Sequence, residues 1–140
     1  MSRILAIDYG TKRTGIAVTD ILQIIATGLT TIHTQTLFEF LDTYFKKEPV
    51  ECVVIGNPKQ LDNTPSDSAQ HVVGFTRKLK EKYPALKIEM LDERFTSGMA
   101  QKAMIAAGST KKQRQNKETI DMLSAVLLLQ NYLEKKKFTF

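Results

Sequence analysis

The chain predicts an α/β fold: a mixed five-stranded sheet with helices on both faces, in one domain over residues 1–140. Three observations carry that expectation. Two β-like runs near the start are separated only by a short turn, so they pair as an antiparallel hairpin. The run VECVVI at 50–55 is apolar apart from Glu51 near its start, as a strand buried on both faces requires. Beyond residue 36, segments with helical apolar spacing alternate with strand-like runs, the pattern of crossovers between parallel strands.

The strands of the first half fall at about 3–8, 14–19 and 28–33. A helical pattern follows, with Leu37, Phe40, Leu41, Tyr44 and Phe45 on one face. Thr36 and Glu39 have the spacing of a capping box at its start, and Pro49 stops it. After the buried strand at 50–55 comes a polar loop, GNPKQLDNTPSD. A second helix is expected from near Ser66, turning Ala69, Val72, Val73, Thr76 and Leu79 inward and ending on the basic run RKLKEK before Pro84. KIEML at 87–91 is the fifth strand and leads into Asp92, Glu93 and Arg94. A third helix over 97–107 closes at Gly108, a natural C-terminal cap. The basic loop STKKQRQNK precedes a last helix from Glu118 to Lys135, with Ile120, Leu123, Leu127 and Leu128 facing in. The tail KKKFTF is expected to fray.

Composition narrows the function classes. The 140 residues are 42% hydrophobic and 25% charged, ordinary for a soluble globular domain with one core. The net charge of +5 favours an anionic partner, weakly. The lone cysteine, Cys52, sits in an apolar run and reads as a small core residue. With no Cys/His cluster, zinc is not indicated. The opening MSRILAIDYG lacks the apolar length of a signal peptide, and no run reaches a membrane span. A cytoplasmic protein without membrane contact is therefore expected.

The chemistry concentrates in ILAIDYGTKRTGIAVTD. An apolar run ends on Asp8, and an ionised carboxylate at the end of a core strand is costly unless a cation or donors compensate it. Thr11, Lys12 and Arg13 beside it suit a phosphate, and Gly10 and Gly15 allow a tight turn or close backbone approach. Asp8, Gly56 and Glu93 all fall at expected strand ends, where α/β sheets gather ligands. Each acid also has a bland reading. Asp92 and Glu93 could simply mark a strand end before a helix. Asp121 could serve the dipole at a helix start. Asp20 could merely terminate the hairpin.

Four segments in order, IDYGTKRTGIAVTD, GNPKQLDNTPSD, LDERFTS and ETIDMLSAVLLLQNYL, resemble the YqgF family, also called RuvX, of ribonuclease H-like fold. The likeness spans essentially the whole chain. It implies a cytoplasmic bacterial nuclease linked to trimming the 5′ end of the small-subunit (16S) ribosomal RNA precursor, and earlier proposed to resolve Holliday junctions. The family's acids fall on Asp8, Glu93 and Asp121, which become both the catalytic and the metal-binding candidates. Phosphodiester hydrolysis builds charge on the attacking and leaving oxygens, and two Mg²⁺ (or Mn²⁺) ions roughly 4 Å apart can stabilise both. Asp8 is assigned as the bridging ligand, with Glu93 and Asp121 each favouring one ion. Successive strand residues face opposite sides, so only one of Asp92 and Glu93 can face Asp8; the family pattern selects Glu93.

The substrate-binding candidates are cationic. Lys12 and Arg13 lie in the turn beside Asp8, and Arg94 can grip a phosphate with two parallel hydrogen bonds. Lys111, Lys112 and Arg114, just before the last helix, form a nucleic-acid flap candidate against the bland reading of a solvated loop. His33 and His71 lack acid partners at recognisable spacing and are read as structural or surface residues. No aromatic ladder for stacking single strands is visible along the chain. In the loop after Gly56, Asn63 replaces a family glycine, and Asn57 and Lys59 depart from the family pattern.

The leading expectation is a metal-dependent endonuclease acting on structured RNA, with the ribosome or its precursor as partner. Resolution of four-way DNA is the alternative within that class. An actin- or hexokinase-like ATPase shares the D-x-G-T hairpin but needs a second lobe. A nucleic-acid-binding protein without cleavage is the third reading. Monomer and homodimer both stay open.

Overall fold

The computed structural model describes residues 2–57, 69–92 and 117–137. Five strands form one sheet: β1 (Arg3–Asp8), β2 (Arg13–Thr19), β3 (Ala26–His33), β4 (Val50–Asn57) and β5 (Lys87–Asp92), in the order β3-β2-β1-β4-β5. β1 pairs antiparallel with β2, as does β2 with β3, whereas β1, β4 and β5 run parallel. The mixed sheet with an antiparallel start is therefore observed as the sequence predicts. Three helices are described: α1 (Leu37–Lys47), α2 (Ala69–Lys82) and α3 (Lys117–Lys137). None is long and apolar enough to cross a membrane. The expected helix at 97–107, the start of the second helix at Ser66 and the tail beyond Lys137 lie outside the described residues.

Strand alternation divides the core into two layers. Leu5, Ile7, Val53 and Ile55 face α1 and α2, joining Leu41, Val72, Phe75 and Leu79. Ile4, Ala6, Cys52 and Val54 face α3, joining Ala125, Leu128, Leu129 and Leu133. Helices thus cover both sheet faces, and Cys52 is the small core residue expected.

The structure corrects three local expectations. Thr36 makes no side-chain cap. A short 3₁₀ turn, Thr34–Thr36, precedes α1, so Thr36 lacks the extended backbone of an N-cap, and its hydroxyl donates to the His33 carbonyl instead. In α2, Val73 is 56% exposed and Phe75 is buried. Val73 lies about 100° around the helix from Val72, outside the stripe formed by Val72, Phe75, Thr76 and Leu79. In α3 the inward stripe is Ala125, Leu128, Leu129 and Leu133. Leu123 and Leu127 lie on the far side of the wheel and are only half-buried; the side chain of Ile120 is outside the described set.

At the amino-terminal edge of β1, Asp20 follows directly on β2 and holds the loop to β3. Its carboxylate accepts the amides of Leu22, Ile24 and Ile25 at 3.2, 2.8 and 2.9 Å. Within that loop Gln23 takes a φ of 60°. The amides of Ile25 and then Ile24 hold the Asp20 carboxyl below its ordinary value of 3.8. A depressed folded pKa contributes stability above the unfolded value, lost as pH falls through the folded one. Urea unfolding of the parent and of Asp20→Asn should therefore differ more at pH 7 than at pH 3, and an equal difference at both would refute this role.

Gly74 stands mid-way in α2. Among the described residues a Cβ placed there would meet nothing within 4 Å, yet glycine inside a helix costs about 1 kcal/mol relative to alanine.

Candidate active site

The parallel strands β1, β4 and β5 end nearly level. Ile7 lies beside Ile55 and Ile55 beside Met90, and β4 and β5 run on to the pair Asn57 and Asp92. Asp8 closes β1 and is half-buried. By alternation it belongs to the face of Ile4 and Ala6, the face that α3 covers. Its apolar predecessors are fully buried, which fixes the position of the strand end and hence of the carboxylate's backbone.

The turn after Asp8 is braced from outside the hairpin. Thr34 donates its hydroxyl to the Gly10 carbonyl at 2.6 Å and its amide to the Lys12 carbonyl at 3.0 Å. The Thr34 and Thr14 hydroxyls are 2.9 Å apart. Gly10 is required by close approach, because a Cβ there would lie 2.3 Å from the Arg13 carbonyl oxygen. Lys12 is exposed at the turn, and Arg13 is half-buried at the start of β2. The structure therefore sets both expected cations in the segment adjoining Asp8. The sequence does not reveal Thr34, because its partners lie twenty or more residues away, with no local pattern to mark them.

The remaining expected site residues are placed less completely. Glu93 follows directly on Asp92, the last residue of β5, and lies outside the described residues, as do Arg94, Lys111, Lys112 and Arg114. The backbone of Asp121 belongs to the first turns of α3, four residues before the buried Ala125. α3 crosses the sheet obliquely. Tyr132 meets Cys52 near the start of β4, and Met122 overlies Gly28 of β3. Because Cys52 pairs beside Ile4 and Gly28 lies in the row of Ala6, the amino-terminal end of α3 points toward the edge that carries Asp8. Among the described residues no three His, Cys, Asp or Glu side chains form a metal cluster. Asp20 lies at the opposite edge, its carboxylate engaged by backbone amides. His33 and His71 are both exposed.

The candidate donors Asp8, Glu93 and Asp121 are all carboxylates. Such a hard-oxygen set fits Mg²⁺ or Mn²⁺ and does not suit a thiolate-seeking ion.

On the other face of the same edge, a cavity of about 270 Å³ opens beside Tyr9. Tyr9 stacks on Phe75 with ring centres 5.1 Å apart, and Phe38 lies 5.2 Å from Phe75. Three elements supply these rings, so no window of sequence displays the cluster.

A family model described as "RuvX: Holliday junction resolvase" matches residues 2–135. A protein of Phocaeicola vulgatus is 54% identical over 138 residues, covering 99% of both chains, and one of Flavobacterium johnsoniae is 56% identical over 138 residues, covering 99% of this chain and 100% of the relative. Both bear the name "Putative pre-16S rRNA nuclease". Among solved structures, Thermus thermophilus RuvC in complex with a Holliday junction superposes with a TM-score of 0.58 at 15% identity, covering 99% of this chain and 98% of that one. That likeness establishes the ribonuclease H-like fold. With a family match over nearly its whole length and relatives above half identity end to end, this chain belongs to the RuvX (YqgF) family.

Proposed function

We propose that this protein is a metal-dependent endonuclease that processes the 5′ end of the small-subunit ribosomal RNA precursor. The observation that carries the reading is the end-to-end identity above 50% with relatives named "Putative pre-16S rRNA nuclease". The position of Asp8 at the carboxyl end of β1, beside a braced cationic turn, supports it. Asp8, Glu93 and Asp121 would hold the ions, probed first as two Mg²⁺ or Mn²⁺. When bound, divalent ions supply the positive charge that activates water and stabilises the leaving oxygen. The chain's own part is positioning. β1 fixes the backbone of Asp8 through its buried strand, Glu93 follows β5 in sequence, and the backbone of Asp121 belongs to the first turns of α3. Lys12 and Arg13 would hold the flanking phosphates, with Arg94, Lys111, Lys112 and Arg114 adding charge from segments on either side of the acids.

A second reading is resolution of four-way DNA, favoured by the description of the family model and by the superposition on RuvC bound to a junction. The deciding experiment incubates the purified protein with precursor 16S RNA and with a four-way DNA junction, in Mg²⁺, in Mn²⁺ and in chelator. Ion-dependent cleavage of the RNA near the mature 5′ end is expected. Cleavage of the junction alone would select the second reading, and cleavage of neither would overturn the enzyme proposal.

The cationic residues make a separate, salt-dependent prediction. Each phosphate contact contributes about 0.7 to 0.9 to the slope of log affinity against log salt. Replacing Lys111, Lys112 and Arg114 by glutamine should reduce that slope by about 2 to 3 and weaken RNA binding. An unchanged slope would assign the segment to a solvated loop.

A further inference from the structure

We propose that the cavity beside Tyr9 is a nucleobase pocket, receiving one unpaired base of the substrate strand on the face of the sheet opposite Asp8. The inference rests on the nuclease reading for the identity of the strand and on the cavity itself for the site.

The place is suitable. Tyr9 follows Asp8 directly, so the two Cα atoms are about 3.8 Å apart, and alternation sends their side chains to opposite faces. A strand lying across the carboxyl edge of the sheet can present a phosphate to Asp8 on one side and turn a neighbouring base down on the other.

The lining has the chemistry of base recognition. Tyr9 and Phe38, half-buried and packed on the buried Phe75, present the aromatic surface of the cavity, against which a base can stack irrespective of sequence. Gln70, exposed near the start of α2, carries both a donor and an acceptor, as the edge of a base requires. Lys78, also exposed on the rim, can meet the attached phosphate.

Gly74 is the most telling residue. It lines the cavity, and among the described residues a side chain there would meet no atom within 4 Å. Packing among those residues therefore gives no reason for glycine in the middle of α2, where it weakens the helix. A ligand in the cavity does: a side chain at 74 would occupy its space.

The test uses the cleavage-silent Asp8→Asn protein and a five-nucleotide single-stranded RNA, followed by fluorescence anisotropy. Gly74→Leu should weaken binding about tenfold, the cost of one lost base stack, while its Tm equals or exceeds that of the parent. Gln70→Ala and Lys78→Ala, both at exposed positions, should weaken it severalfold without touching the fold. Removing the base at one position of the RNA should cost the parent about tenfold and the Gly74→Leu protein nothing more. Equal binding by Gly74→Leu and the parent, equal sensitivity of both to base removal, or no saturable binding would each overturn the pocket. Cleavage by the intact-Asp8 protein separates the two claims. Cleavage without a Gly74→Leu effect sinks the pocket alone, whereas base-dependent binding without cleavage in any metal sinks the nuclease reading alone.

Discussion

Asp8→Asn should cut metal-dependent cleavage by about a thousandfold or more and leave the fold and nucleic-acid binding in place. Asparagine matches aspartate in shape and removes the anionic hard oxygen that a small divalent ion demands. Losing the transition-state stabilisation of a correctly held ion costs several kcal/mol, and about 4 kcal/mol corresponds to three orders of magnitude in rate. The side chain is half-buried at a strand end whose preceding residues are fully buried, so an isosteric change there does not disturb the core. Asp20→Asn is the matched control. That acid follows directly on β2 at the far edge of the sheet, where its oxygens accept backbone amides, and its loss should leave cleavage as it was. Initial rates on precursor RNA at saturating Mg²⁺, with binding measured in parallel, check both. Cleavage by Asp8→Asn at the parental rate would remove Asp8 from the chemistry.

The sheet was legible because its signals are local and strong. The run VECVVI at 50–55 has no polar residue facing either layer except at its margin, and it became a strand whose Cys52, Val53, Val54 and Ile55 are all buried. The hairpin of β1 and β2 was readable from the short turn, and Gly10 from the need for close approach. Asp8 stood out because an acid ending an apolar run contradicts its surroundings. What the sequence could not show were relations between distant segments. Thr34 braces the turn beside Asp8 across more than twenty residues. The rings of Tyr9, Phe38 and Phe75 meet only after three elements pack. Capping at Thr36 failed for a related reason: the preceding 3₁₀ turn, which no composition signal announces, changes the backbone that a cap needs. For Glu93 and Asp121, the sequence supplies the likeness to the family; Glu93 lies outside the described residues, and of Asp121 the structure describes the helical backbone.

Leu128→Ala should destabilise the protein by about 3 kcal/mol, within the 2–5 kcal/mol typical of such truncations, while Leu127→Ala should cost far less. The two leucines are neighbours of identical chemistry, and apolar periodicity alone gives both to the core, because α3 carries leucines on opposite sides. The geometry separates them. Leu128 is fully buried with Ala125, Leu129 and Leu133 against Ile4, Ala6, Ala17 and Val54, so its removal leaves a cavity between helix and sheet. Leu127 is one step around the wheel, about 100° away, and only half-buried. For a chain of this size 3 kcal/mol corresponds to a fall in Tm of about 10 °C. Thermal and urea unfolding of both variants, with the slope of the urea transition compared to confirm the same denatured state, measures the contrast. Comparable losses at 127 and 128 would mean that α3 is rotated on the sheet. That rotation would also turn the first turns of α3, whose backbone includes position 121, so the measurement bears on the candidate acid site without involving catalysis at all.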